Sequence, residues 1–154
     1  ISEGSFVLHS MEEKDIDTIG MSDIIAVASD GNSLRNTGPL SSGKPHPRSY
    51  GTNTRFIEDM VVNKKLVPIS KAIYRMTVLP ASRLGLKRRG EIKKGYFADI
   101  NIFKPEDLKE KATYVDPHQY STGMKYVIVN GNIALKDSKK IPGRFGQVIR
   151  SKEG

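Results

Sequence analysis

Asp30 is the residue of this chain best placed to do chemistry. It follows the apolar run 24–28 by two positions and directly precedes Gly31. A strand of branched side chains that ends at a carboxylate beside a glycine presents that carboxylate in the crevice where barrels and open α/β sheets bind substrates. A carboxylate there suits metal binding or proton transfer. Because Asp-Gly is also common turn chemistry after a strand, a structural role for Asp30 stays equally open.

His46 and Arg48 form the second candidate group, since they flank Pro47 within a long loop. Pro47 restricts the backbone, and an arginine can hold a carboxylate through its two-pronged guanidinium. The structural alternative is a surface histidine with an arginine that caps a loop carbonyl. Of the other two histidines, His9 ends a predicted strand and can face the same crevice, whereas a structural role is favoured for His118.

Other catalytic signatures are missing from the sequence. Ser29 has no histidine at triad spacing and no Gly-x-Ser-x-Gly elbow around it. The glycine-rich stretch 38–43 does not join a strand to a helix as a phosphate-binding loop requires. The chain has no cysteine, which excludes disulfides, thiolate zinc ligands and a cysteine nucleophile within it. Because a hydrolytic metal site needs at least three protein ligands, these residues encode at most part of one.

Composition narrows the class of protein. The 154 residues can form one ordinary domain. A hydrophobic fraction of 37% and a mean hydropathy of −0.43, without an apolar run long enough to span a membrane, favour a soluble protein. We expect it in the cytoplasm, a location with which the absence of cysteine is compatible. The net charge of +8 invites a nucleic-acid interpretation. The densest basic stretch, residues 83–94, has no aromatic side chains interleaved for base stacking, so we expect a solvated turn and no nucleic-acid partner.

Helices dominate the predicted first half of the chain. Capping residues, apolar periodicity and prolines set the bounds. We expect a strand over 5–9, a helix over 10–21 with Ser10 as its N-cap, a strand ending near Ala28, a loop over 32–50, a helix over 54–65 and a helix from Ser70. Since Ile1 stands almost directly before the first strand, we expect the chain to be a piece of a longer protein. A loop as long as 32–50 is usually functional or disordered.

The second half reads as a small β unit that begins after a boundary near Gly85. Residues 98–103 alternate between apolar and polar side chains, as a half-buried strand does. Residues 126–129 and 132–135 flank Asn130-Gly131, and Asn-Gly tolerates the positive φ angles of a type I′ turn. The sequence therefore predicts a hairpin here and a mixed α/β chain overall.

Motifs that carry a family resemblance are spread over nearly the whole chain. They are Ala-Ser-Asp-Gly at 28–31, His-Pro-Arg-Ser-Tyr-Gly-Thr at 46–52, Met-Thr at 76–77 with the stretch 80–86, Arg-Gly-Glu-Ile at 89–92, Gly-Tyr-Phe-Ala-Asp at 95–99, Asp-Pro-His-Gln-Tyr at 116–120 and Val-Asn-Gly at 129–131. Together they resemble the carboxy-terminal portion of the D-aminoacylase family, the N-acyl-D-amino-acid deacylases of the amidohydrolase superfamily.

This resemblance implies a zinc-dependent amide hydrolase built on a (β/α)8 barrel with a small β-sandwich domain. Residues 1–84 would supply the last strands and helices of the barrel, and 85–154 the closing part of the β-rich domain. Asp30 would match the carboxylate at the end of the eighth strand, which contacts the metal, takes a proton from the attacking water and returns it to the leaving amine. Arg48 would match an arginine that binds the substrate's α-carboxylate, with His46 beside it as a further substrate-binding residue.

The sequence also departs from the family pattern. The family's His-x-His pair, its metal-binding cysteine and its later histidines belong to earlier barrel strands, and no residue here matches them. The loop between Asp30 and His46 is longer than in typical members. We therefore expect a fragment whose zinc site is completed by the amino-terminal part of the same protein. Such a fragment should be inactive alone. We also expect no membrane partner.

Two other interpretations remain open from the sequence. A related cyclic-amidase or dihydroorotase-like hydrolase would share Asp30 and the β unit, but would not need Arg48 to face an α-carboxylate. A basic, non-catalytic binding module would instead take an anionic partner such as RNA and bind it in a strongly salt-dependent manner.

Overall fold

Helices fill the first half of the chain and an antiparallel sheet fills the second half in the computed structural model, which describes residues 10–150. The helices are α1 (Glu13–Met21), α2 (Arg48–Phe56), α3 (Ile69–Met76) and α4 (Val78–Arg83), and a π-helical segment (Ile57–Asn63) continues α2. The strands are β1 (Ile100–Phe103), β2 (Met124–Val129), β3 (Asn132–Lys136) and β4 (Lys139–Lys140). The predicted mixed α/β content is confirmed. Within residues 10–150, no helix is long and apolar enough to cross a membrane. The strand predicted over 5–9 and His9 lie outside the described residues.

Helix α1 begins later than the sequence predicts. Glu12, not Ser10, is its N-cap, and the Asp15 carboxylate accepts the Glu12 backbone N–H at 3.1 Å in a capping box. Two ion pairs fasten the helix to the end of the π-helical segment, because Lys64 Nζ lies 2.9 Å from Glu13 and 2.6 Å from Asp17.

Residues 24–28 do not form the predicted strand. A strand is stabilised by a hydrogen-bonded neighbour, and no described strand pairs with this segment. Ile24 is instead largely exposed. The segment is held by a backbone hydrogen bond from Val27 N–H to the Arg75 carbonyl oxygen at 3.1 Å. The strand prediction for residues 24–28, which rested on their branched side chains, is therefore wrong for the described structure.

Helix α2 begins at Arg48, earlier than predicted. Pro47, at its N-cap, has φ −50° and ψ −28°, which are helical values, so the chain enters the helix directly from the proline. The π-helical segment that follows carries Met60 into the core, where it packs with Val67 and Ala72. Phe56 and Val61 pack against the same cluster.

The sheet has the strand order β1-β2-β3-β4, with every neighbouring pair antiparallel. The hairpin prediction is confirmed, since Asn130 and Gly131 join β2 to β3 with φ angles of 48° and 80°. A second tight turn, through Asp137 and Ser138 at φ 49° and 60°, leads into β4 and was not predicted. Asp99 fastens the first hairpin, because its Oδ1 accepts the Asn130 N–H at 2.8 Å.

Candidate active site

Asp30 and Arg48 lie in direct contact. Arg48 Nη2 is 2.9 Å from Asp30 Oδ2, and Arg48 Nε donates a hydrogen bond to the Asp30 carbonyl oxygen at 3.1 Å. These two contacts fix the guanidinium against a single residue. Both side chains remain open to solvent, at 86% exposure for Asp30 and 46% for Arg48. An exposed ion pair contributes little to stability. Because both side chains are exposed, some of their polar atoms stay accessible to a ligand.

The backbone around Asp30 is shaped for this contact. Asp30 has φ 46°, a left-handed conformation that aspartate tolerates better than most residues. A Cβ on Gly31 would lie 2.7 Å from the Ser49 Cα, so only glycine lets the chain come this close to the first turn of α2. Ser29 Oγ accepts the Gly31 N–H at 3.2 Å and closes the turn. Asp30 is therefore presented by a tight turn rather than by the end of a strand.

His46 orients the start of α2 from the other side. Its Nδ1 accepts the Arg48 backbone N–H at 3.1 Å, and its Nε2 lies 3.2 Å from the Tyr114 hydroxyl. The two rings meet edge to face, with centroids 5.1 Å apart. Because Nδ1 accepts a backbone N–H, the neutral ring carries its proton on Nε2. His46 thus holds the first turn of α2, which bears Arg48. A direct contact between His46 and substrate stays a prediction.

Tyr50 and His118 fasten the long loop that separates Asp30 from His46. The Tyr50 hydroxyl lies 2.8 Å from the Arg35 carbonyl oxygen and 2.7 Å from His118 Nδ1. His118 Nε2 donates to the Gly43 carbonyl oxygen at 2.8 Å. Burial and the neighbouring Tyr120 raise the pKa of Tyr50, which keeps its hydroxyl protonated. The structural role favoured for His118 agrees with these contacts, whereas sequence reasoning overlooked Tyr50, whose signal was its place in the 46–52 motif.

Glu110 packs against α2 one turn beyond Arg48. A Cβ on Gly51 would lie 1.9 Å from Glu110 Oε1, and that oxygen is buried without a hydrogen-bond partner. Burial raises the pKa of Glu110, and the nearby carboxylates of Glu58 and Asp59 add to the increase. Burial alone would also raise the pKa of Glu58, but hydrogen bonds from Lys109 Nζ at 2.8 Å and from Glu110 N–H at 2.9 Å lower it overall.

The described residues do not fit a complete zinc site. Structural and catalytic zinc ions take three or four protein ligands from histidine, cysteine and carboxylates. Over residues 10–150, no three such side chains converge in a way that would hold a metal ion. Asp30, the predicted ligand, has one carboxylate oxygen against Arg48. It can supply a single ligand at most.

Comparison with known proteins decides the family, since residues 38–135 match the amidohydrolase family. The chain belongs to the amidohydrolase family. It is 34% identical over 139 residues to an N-acyl-D-aspartate deacylase of Alcaligenes xylosoxydans xylosoxydans, covering 90% of this chain and 26% of that protein. The resemblance inferred from the motifs is thereby confirmed.

Solved amidohydrolase structures share the fold. A D-aminoacylase superposes with a TM-score of 0.79 at 30% sequence identity, covering 90% of this chain and 28% of that one. The N-acyl-D-glutamate deacylase from Bordetella bronchiseptica, solved with zinc and a phosphonate that mimics the tetrahedral intermediate, gives a TM-score of 0.78 at 33% identity, covering 92% and 28%. This chain thus spans little more than a quarter of the length of the amidohydrolases it matches.

Proposed function

We propose that this chain is the carboxy-terminal part of a zinc-dependent N-acyl-D-amino-acid deacylase and that Asp30 and Arg48 belong to its active site. The 2.9 Å contact between these two residues carries the proposal, because it joins a proton-accepting carboxylate to a carboxylate-binding guanidinium. The relatives named for N-acyl-D-aspartate and N-acyl-D-glutamate deacylation support the substrate class.

Arg48 has N–H groups that its contacts with Asp30 do not use and that can bind a substrate. A guanidinium has five N–H groups, and the contacts with Asp30 use the Nε–H and one of the two N–H groups of Nη2. The remaining N–H groups are enough for a bidentate bond to the α-carboxylate that every N-acyl amino acid carries. Substrate can therefore bind while Asp30 stays in place, with His46 holding the turn that bears Arg48 and serving as the further substrate-binding residue.

Asp30 performs the proton transfers in this proposal. Its carboxylate takes a proton from the attacking water as the water oxygen bonds to the acyl carbon, and it returns the proton to the nitrogen as the C–N bond breaks. The products are a carboxylic acid and a D-amino acid. The exposure of Asp30 in this chain leaves room for a substrate and for the rest of the protein on its open side.

The remaining parts of the proposal concern the whole protein. Residues 1–84 would end a (β/α)8 barrel, and residues 85–154 would complete a β-sandwich domain. Zinc, found in the relative from Bordetella bronchiseptica, would be held by Asp30 together with ligands from the amino-terminal part of the same protein. We place this enzyme in the cytoplasm, with a small-molecule substrate and neither nucleic acid nor a membrane as partner.

Hydrolysis of N-acetyl-D-amino acids by the full-length protein, expressed from the intact reading frame, tests the proposal. We expect turnover by that protein, none by residues 1–154 alone, and a fall in kcat of about 10²–10⁴-fold in Asp30→Asn. Asp137→Asn is the matched control, because Asp137 pairs with Lys125 in the turn before β4 and has a positive φ like Asp30. An Asp30→Asn protein with the turnover of this control contradicts the assignment, and turnover by residues 1–154 alone contradicts the incomplete site.

A further inference from the structure

Arg75 is a buried arginine that the proposed chemistry does not use. It lies on α3 and is 2% exposed, the largest polar side chain to be so enclosed among the described residues. Its Nε donates to the Ile25 carbonyl oxygen at 2.7 Å, and its Nη1 donates to the Gly20 carbonyl oxygen. Its own carbonyl oxygen accepts the Val27 N–H at 3.1 Å. One residue thus ties down the chain from the end of α1 to within three residues of Asp30.

Arg75 also reaches the helix that bears Arg48. The guanidinium carbon lies 5.1 Å from the centre of the Phe56 ring, and Phe56 is the last residue of α2. Phe56 in turn packs against the core cluster that contains Met60 and Ala72. A cation over an aromatic face is attracted by the negative face of the ring, more strongly when both are shielded from water.

The contacts of Arg75 need an arginine. A planar guanidinium can bond two carbonyl oxygens along its edge while its face rests on a ring, whereas a lysine ammonium is a point charge on a flexible stem. Among residues 10–150, no carboxylate is hydrogen-bonded to the Arg75 side chain, and the charge of Asp23 acts on it through space. Burying a charge in this way is costly, so the position is occupied for its geometry rather than for an ion pair.

We propose that Arg75 is the positioning residue that sets the place of Asp30 relative to Arg48. Within residues 10–150 no strand pairs with residues 24–28. The hydrogen bonds to Ile25 and Val27 hold this segment against α3, and the contact with the Phe56 ring connects it to α2. This inference rests on the proposed deacylase function and assigns to that site a residue that touches neither Asp30 nor Arg48.

Kinetics of the full-length protein test the proposal with Arg75→Lys, Arg75→Met and the control Arg83→Met, which changes an exposed arginine at the end of α4. Because Arg48 keeps its place on α2 while Asp30 moves, kcat is expected to fall about 10–100-fold in Arg75→Met, since a displacement of about 1 Å costs on the order of 10²-fold. KM should stay within about threefold, and Arg75→Lys should lie between Arg75→Met and wild type because it keeps the charge but loses the fork.

Hydrogen–deuterium exchange gives a readout that does not depend on turnover. Peptides covering residues 20–28 should exchange faster in both Arg75 variants, while the β2–β3 hairpin should be unchanged. Wild-type kcat in folded Arg75→Lys and Arg75→Met, equal losses in kcat and folded fraction, or unchanged exchange over 20–28 would overturn the proposal. A wild-type protein without deacylase activity instead refutes the proposed function, and the exchange result then still decides whether Arg75 holds the segment.

Discussion

At the scale of single residues, the contact between Asp30 and Arg48 depends on Gly31. The absence of a Cβ lets the backbone of the Asp30 turn lie against Ser49, where an added methyl group would sit 2.7 Å from a backbone carbon. Backbone atoms at the start of a helix cannot move aside as the end of a flexible side chain can. The geometry of the site therefore depends on a residue that does no chemistry itself.

We predict that Gly31→Ala lowers kcat/KM of the full-length protein on the order of tenfold or more, because the turn must move away from α2 and carry Asp30 with it. The measurement is steady-state hydrolysis of an N-acetyl-D-amino acid. Gly146→Ala is the control, since a Cβ there has nothing within 4 Å and φ is not positive. Equal activity in the two variants would show that the turn does not need its close approach.

Residue types and spacing singled out Asp30 and Arg48 as candidates, and the structure brings their side chains into contact. Their catalytic and substrate-binding roles stay predictions. Tyr50, Arg75 and Glu110 were overlooked because their roles come from burial and from partners far away in sequence. Tyr50 and His118, for example, are 68 residues apart, and no local pattern encodes that contact.

At the scale of elements, α2 joins the candidate site to the β-rich half through a pair of glutamates. Glu58, on the π-helical segment, accepts hydrogen bonds from Lys109 and from the Glu110 backbone N–H. Glu110 then packs its carboxyl group against Gly51 of α2. The two carboxyl groups have opposite pKa shifts, since burial raises that of Glu110 and hydrogen bonds lower that of Glu58.

We predict opposite pH dependences of stability for Glu110→Gln and Glu58→Gln. Because the pKa of Glu110 is raised in the folded protein, its protonated carboxyl favours the folded state at acid pH. This stability is fully present below the unfolded pKa and is lost as the pH rises through the folded pKa. Glu110→Gln should therefore gain stability relative to wild type as the pH rises from about 4 towards 7. The lowered pKa of Glu58 gives stability that is present above the unfolded pKa and is lost as the pH falls through the folded value, so Glu58→Gln should lose stability relative to wild type as the pH rises through the acid range to about 5.

Denaturant unfolding at several pH values measures both differences, with each glutamine variant as the other's control. Parallel pH dependences for the two variants would contradict the environments that the structure assigns to these carboxyl groups. The comparison does not depend on enzymatic activity, so it tests the packing of α2 separately from the proposed function.

Local signals predicted elements well where the element is completed locally. The β2–β3 hairpin needs only its Asn-Gly turn and two short strands, and it was predicted almost to the residue. Residues 24–28 also carry branched side chains, but no strand within residues 10–150 pairs with them. Pro47 explains the other error, since proline begins α2 inside a stretch whose glycine, serine and asparagine indicated a loop.

At the scale of the whole molecule, the basic stretch 83–94 lies beside aromatic rings that its own cations contact. Arg89 pairs with Asp99 and lies 4.1 Å from the centre of the Phe97 ring, and Arg88 lies 4.9 Å from the same ring. Lys93 Nζ likewise lies 5.6 Å from the centre of the Tyr96 ring. These contacts compete with the base stacking by which single-stranded nucleic acids are bound, so we expect no nucleic-acid partner.

We predict no retarded band when the protein is mixed with single-stranded RNA in a gel-shift experiment at low salt. Low salt is the most permissive condition for binding driven by phosphate contacts. Polyuridine and a mixed-sequence RNA make suitable probes, with a known single-strand-binding protein as positive control. A salt-dependent complex would favour the alternative of a basic binding module.

Arg48 provides the most direct test of the central claim, that Asp30 and Arg48 form the site of an N-acyl-D-amino-acid deacylase. The measurement compares kcat/KM for an N-acetyl-D-amino acid and for its neutral α-amide, in the full-length wild-type protein and in Arg48→Met. Wild type should prefer the carboxylate substrate, and Arg48→Met should lose about 2–5 kcal/mol of transition-state binding with that substrate but little with the amide. Equal losses with both substrates, or no loss with either, would contradict the account, and no loss with either would favour a related hydrolase that does not read an α-carboxylate.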